Sequence, residues 1–182
     1  GVVERHNVRV TGPPGGQPMV FAHGFGRDQN MWRHVAPRFA DRFKVVLFDH
    51  VGAGNSDITA FDPARYVSLE AYAADVLAIC RDLDLDDVVF VGHSVSAMIG
   101  VLAAAQDPER FANLVLVGPS PRYIDDDGYV GGFGEGDISD LLDSRESRYP
   151  GRPTAIAPVT MGNEDTPHLG AERPPRRCRA PP

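Results

Sequence analysis

Four short, almost uninterrupted apolar runs recur along the first 120 residues of this chain: Met19–Ala22, Val45–Phe48, Val88–Val91 and Leu114–Val117. Each is too short for a buried helix. Each is also too continuously apolar for a strand with one face in water, so all four suit strands covered on both faces. Helical patterns lie between them. Leu69, Tyr72, Ala73, Val76, Cys80 and Leu83 recur at a spacing of about 3.6 residues, with Ser68 placed as an N-cap and Glu70 in the first turn. A second, Ala-rich stretch runs from Ser94 to Gln106 and stops at Asp107-Pro108, because proline is a poor continuation for a helix. Strands alternating with helices through right-handed crossovers predict an α/β fold built on a doubly wound, mostly parallel sheet.

The 182 residues suffice for one domain with a substantial core, and a 42% hydrophobic content is ordinary for a globular chain. A formal charge of −7 argues against nucleic acid as a general partner. No window approaches the roughly eighteen uninterrupted apolar residues of a membrane span. The start, GVVERHNVRV, lacks the basic-then-apolar pattern of a secretory signal, so a cytoplasmic location is the default. Cys80 and Cys178, the only cysteines, form neither a disulfide framework nor a metal-type spacing and read as bystanders.

The pattern changes after residue 120. Asp125–Asp127 reads as a solvated loop, without the spaced ligands of a calcium loop. GGFGEGDISDLLDSR reads as a loop followed by a short helix. Half of the sixteen prolines lie between Pro150 and Pro182. The closing ERPPRRCRAPP has no apolar period and is expected to be disordered, its Arg173, Arg176, Arg177 and Arg179 inert. The lone lysine, Lys44, and the wealth of Ala, Gly, Pro and Arg suit GC-rich codons, so a shifted reading frame would produce such a tail. The resulting division is a core over 1–120, a partial lid region over 121–171 and a tail over 172–182.

The sharpest chemical signal is VVFVGHSVSAMIG, Val88 to Gly100. A buried strand runs through Gly92-His93-Ser94-Val95-Ser96 straight into a helix, the setting a nucleophile elbow requires. The corner holds Ser94 in a strained conformation with its hydroxyl at the helix N-terminus. Gly92 and Ser96 are the small residues that let strand and helix approach, although a second glycine usually stands where Ser96 does. His23-Gly24-Phe25-Gly26 directly follows the first strand. Such a loop offers one backbone N–H to a developing oxyanion, and the residue after the nucleophile offers another. The two donors are then Phe25 and Val95.

FDHVGAGNSD, Phe48 to Asp57, supplies a tight loop near the same place. Its Asp49 and His50 are not the acid and base of a triad, because on this kind of sheet both follow the serine in sequence. Its glycines also miss the phosphate-binding spacings. Downstream of Ser94 the only histidine is His168, in a Pro-rich segment without a strand to carry it. No triad Asp or His is therefore assigned in these 182 residues.

HGFGRDQNMW, FDHVGAGNSD, VGHSVSAMIG and LVLVGPSPRYIDDDGYVGGF together resemble α/β-hydrolases of the RsbQ type, bacterial regulators of a stress sigma-factor pathway and relatives of the plant strigolactone and karrikin receptors. The likeness runs from about Val8 to about Glu172. It implies one hydrolase domain with a helical lid, an apolar pocket over the serine, and no metal or organic cofactor. Residue by residue, Ser94 matches the nucleophile, and Phe25 and Val95 match the oxyanion donors. APVTMGNEDTPHLGAE resembles the lid, which places His168 there. The resemblance further implies a small hydrophobic ester or lactone as ligand and a regulatory phosphatase as partner. Relatives continue with strands bearing Asp and His, so an incomplete fold lacking its last strands is expected. Leu114–Val117 would then be an uncovered sheet edge, prone to pairing with another chain.

Overall fold

The computed structural model describes residues 1–134 and Gly136. These residues fall into two compact units that part between Ser120 and Pro121. The first carries five strands: β1 (Arg9–Thr11), β2 (Pro18–Ala22), β3 (Lys44–Leu47), β4 (Val88–His93) and β5 (Phe111–Val117). It also carries the helices α1 (Val2–Arg5), α2 (Leu69–Asp82) and α3 (Val95–Gln106). The sheet order is β1-β3-β2-β4-β5. All neighbours run parallel except β1, which lies antiparallel on β3.

Successive strand residues point to opposite faces, and along β2, β3 and β4 both faces are covered. Val20, Ala22, Val46, Val88 and Phe90 meet Ala73, Val76, Ile79 and Cys80 of α2 and Ile99 and Ala103 of α3 in one cluster. Met19, Phe21, Val45, Val89 and Val91 meet Trp32 and Ala36 in the other. Double cover explains the lack of polar alternation in β2, β3 and β4. Each fully buried side chain of this size contributes about 1.5–3 kcal/mol, which makes these strands the cohesive centre.

The boundaries differ from those read in the sequence in a few places. Phe48 is fully buried but leaves the sheet, since β3 ends at Leu47. The last strand begins at Phe111 rather than Leu114. β1 carries no apolar signal, because all three of its residues are exposed. Ser68 does occupy the N-cap of α2, yet its side chain bonds the Glu70 carboxylate instead of capping a backbone amide. Cys80 is buried, and burial pushes its thiol pKa up to about 12, consistent with an inert side chain. Among the described residues β5 pairs with β4 alone and leaves Val115, Leu116 and Val117 exposed. No helix among the described residues is long and apolar enough to cross a membrane.

In the second unit, Asp125–Asp127 is more organised than the solvated loop expected from the sequence. The Asp125 carboxylate accepts from the amides of Gly131 and Gly132, both at 2.8 Å. Asp126 and Tyr129 exchange backbone hydrogen bonds at 2.9 Å. The short helix expected after Gly136, His168, the arginine tail and Cys178 lie outside the described residues.

Candidate active site

β2 pairs with β3 on one side and with β4 on the other. The chain therefore leaves the ends of β2 and β4 in opposite directions, and such a point opens a crevice at the carboxyl edge of the sheet. Ala22 lies opposite Gly92 in the register. The segments that follow them, His23–Gly26 and His93–Val95, are thus brought together by strand pairing alone.

Ser94 is the N-cap of α3, with φ 57° and ψ −122°. Among the described residues only four non-glycines have positive φ, and the other three are Asn7, Asp84 and Asp87. Asn and Asp tolerate that region through local hydrogen bonding, whereas a serine held there costs on the order of 1–3 kcal/mol. The surroundings impose the conformation. The Ser94 amide donates to the Val117 carbonyl at 2.9 Å, and the Ser94 carbonyl accepts from the Ala97 amide at 2.9 Å. On the strand side, Gly92 lets the first turn of α3 close onto β4. A Cβ there would stand 2.4 Å from the Ser96 carbonyl oxygen.

The loop after β2 packs directly on this corner. A Cβ on Gly24 would come within 2.4 Å of His93 Nδ1 and 3.2 Å of Ser94 Cβ. Phe25 follows, 58% exposed. Val95 opens α3, and the first N–H groups of a helix have no acceptor inside it.

Beneath the corner runs a buried polar chain that no motif announced. The His50 amide donates to His23 Nε2 at 3.0 Å, so His23 carries its proton on Nδ1, which donates to the Gly24 carbonyl at 2.9 Å. The Ser96 hydroxyl donates to the His23 carbonyl at 2.5 Å. Its single proton being used there, Ser96 Oγ accepts from His50 Nε2 at 2.7 Å. Burial depresses the pKa of both histidines, and the neighbouring His23 and His6 depress that of His50 further. His23, whose Nε2 accepts, is a neutral imidazole, as the hydrogen-bond pattern demands.

Asp49 and His50, set aside as triad members from chain order, are occupied otherwise. The Asp49 carboxylate accepts from the Gln29 amide at 2.8 Å, the Asn7 side chain at 2.8 Å and the Asn55 amide at 2.9 Å. It staples three loops. His50 is committed to Ser96. A third buried cluster, also missed from sequence, joins Asp75 of α2 to Arg65 at 2.6 Å and to the Tyr66 hydroxyl at 2.8 Å. Among the described residues no group of three His, Cys, Asp or Glu side chains could hold a metal ion.

Comparison with known proteins adds to this geometry. The alpha/beta hydrolase fold family matches residues 17–161. The karrikin insensitive 2 receptor CA of Petunia hybrida is 45% identical over 165 residues, which is 90% of this chain and 61% of the receptor. The strigolactone esterase D14 of Arabidopsis thaliana is 42% identical over 161 residues, 88% of this chain and 60% of the esterase. The solved structure of the hydrolase olei00960 from Oleispira antarctica aligns with a TM-score of 0.85 at 40% identity, over 94% of this chain and 63% of that one. The esterase from Exiguobacterium antarcticum aligns at 21% identity with a TM-score of 0.74, over 91% of this chain and 63% of that one, and shares the fold. The chain spans about three fifths of the length of the curated relatives it matches.

Proposed function

The chain belongs to the alpha/beta hydrolase fold family, and from that premise we propose that its site serves acyl transfer on a small apolar ester or lactone, with Ser94 as nucleophile. The observation that carries this reading is the positive φ of Ser94 at a strand–helix corner against which the His23–Gly26 loop is packed. Ser94 Oγ attacks the carbonyl carbon, its proton passes to a general base, and the carbonyl oxygen becomes an oxyanion. The amides of Phe25 and Val95 receive that charge, each such donor being worth about 3 kcal/mol in the transition state. Collapse expels the alcohol and leaves an acyl-serine, which water then cleaves.

In this fold the acid and the base follow the nucleophile in sequence. The described residues after Ser94 hold no histidine, and His168 lies outside them. The reading therefore assigns the attack and oxyanion steps to the described residues.

The test is covalent rather than catalytic. A fluorophosphonate in excess over the protein is expected to add one adduct, located on the Ser94 peptide by mass spectrometry and absent from Ser94→Ala. An adduct of equal yield in Ser94→Ala, or none in either protein, refutes the assignment.

A second reading is favoured by the 45% identity to a protein named as a receptor. On that reading the fold binds a small hydrophobic signal and engages a partner such as a regulatory phosphatase. Ligand-dependent capture of the phosphatase by the protein would support this reading, and ligand-independent or absent capture would refute it.

A further inference from the structure

We propose that Ser96, together with His50 and His23, is a positioning device that orients the Phe25 amide, and that the departure from the usual second glycine of the elbow is functional. The proposal rests on Phe25 being an oxyanion donor, as assigned above. A peptide group is planar, so the direction of an N–H is fixed once the carbonyl of the same group is held. The Phe25 N–H shares its peptide plane with the Gly24 carbonyl, and that carbonyl accepts from His23 Nδ1 at 2.9 Å. The preceding plane ends in the His23 carbonyl, which accepts from Ser96 Oγ at 2.5 Å. Two consecutive planes leading to the donor are therefore pinned, one by a side chain of the loop itself and one by the first turn of α3.

His50 completes the device twice over. Its amide donates to His23 Nε2 and so keeps the proton of His23 on Nδ1, facing Gly24. Its Nε2–H donates to Ser96 Oγ, which turns the serine proton towards the His23 carbonyl and nowhere else. Ser96 is fully buried, and His23 and His50 nearly so, so water cannot take over either bond. Glycine at position 96 would leave a buried carbonyl without a donor and a buried imidazole N–H without an acceptor. The loop carrying Phe25 would then lose the anchor on its His23 plane and keep only the bonds from His23 Nδ1 and the Arg27 amide to the Gly24 carbonyl. The same serine sits two residues after Ser94, so one turn of helix sets both the nucleophile and the frame of its oxyanion donor.

The test uses S96A and S96G against S96T, which keeps the hydroxyl, with two readouts on the full chain. The first is the rate of fluorophosphonate addition to Ser94, resolved into the limiting rate and the half-saturating concentration. S96A and S96G are expected to lower the limiting rate by about tenfold or more with the half-saturating concentration little changed, and S96T is expected to retain it. The second is the backbone amide resonance of Phe25, expected to move in S96A and S96G and to stay in S96T. If neither the rate nor the resonance changes in S96A and S96G while both remain folded, Ser96 merely fills space and the proposal is overturned. If wild-type Ser94 takes no adduct, the acyl-transfer reading fails, and the Phe25 resonance alone decides whether Ser96 positions the loop. Loss of folding in S96A and S96G with a wild-type S96T would be read from the S96T rate and resonance together with H50Q. That variant is expected to reproduce the slowed addition and the displaced Phe25 resonance, and wild-type values in H50Q would overturn the proposal.

Discussion

Replacing Gly92 by alanine is expected to lower the melting temperature by about 10 °C and to suppress modification of Ser94 at the same time. An added Cβ at position 92 would lie 2.4 Å from the Ser96 carbonyl oxygen, 2.7 Å from its carbon and 2.9 Å from the Ala97 amide nitrogen. All three are backbone atoms of the first turn of α3, so no side chain can swing aside. The strand and the helix must part, and overpacking of this kind costs about 1–3 kcal/mol or more. For a chain of this size each kcal/mol moves the melting temperature by about 2–4 °C, so the upper part of that range gives the stated shift. Parting α3 from β4 also relaxes the backbone of Ser94, which is why stability and reactivity should fall together. Gly15→Ala is the control, because a Cβ there meets nothing within 4 Å. Thermal unfolding of both variants checks the expectation, and a Gly92→Ala protein as stable and as reactive as wild type would contradict the close approach.

Stability is also expected to drop steeply as the solution is acidified through the ordinary histidine range. His6, His23 and His50 are all buried, and desolvation lowers the pKa of each below its ordinary value. The nearby carboxylates oppose this, Asp75 acting on His6 and Asp49 and Asp28 on His23, without reversing it. In the unfolded chain the same side chains take up protons near pH 6.5. Below that point the unfolded state binds protons that the folded state refuses, so stability is complete above about pH 6.5 and is lost as pH falls towards the depressed folded values. Each histidine adds to the slope only between its unfolded pKa and its lowered folded one, so the three effects carry the same sign. Urea unfolding at about pH 7.5, 6.5 and 5.5 measures the slope, and a midpoint that stays level or rises on acidification would rule the effect out. Protonation has a local cost as well: a charged His23 has no lone pair left on Nε2 to accept the His50 amide.

What could be read from the sequence follows from how each residue is covered. Met19–Ala22 and Val88–Val91 stood out because β2 and β4 are buried on both faces. β1 was invisible because Arg9, Val10 and Thr11 are exposed and serve only backbone pairing with β3. Phe111–Asn113 was missed for a related reason: at the rim of the sheet a strand can carry Asn113 without burying it. The helical face of α2 was legible through Ala73, Val76 and Cys80, yet the same stripe hides Asp75. Its burial depends on Arg65 and Tyr66, which lie outside the helix. At the candidate site, the glycines and Ser94 announced a corner through local spacing. The His23–His50–Ser96 chain could not be announced that way, since its members lie 27, 46 and 73 residues apart and periodicity carries no information about such pairs. The only trace in the sequence was the serine standing where a glycine is usual.

The hydrogen bond from the Ser94 amide to the Val117 carbonyl has a mechanical implication. It extends the β4–β5 ladder by one rung, so the strained corner is tethered to β5, the edge strand among the described residues. Fraying of β5 from its far side would travel one rung before it let the serine backbone relax. Whatever lies along the outer flank of Phe111–Val117 thus governs how long the corner stays cocked, and the reactivity of the hydroxyl should track the slowest-exchanging amides of that rim.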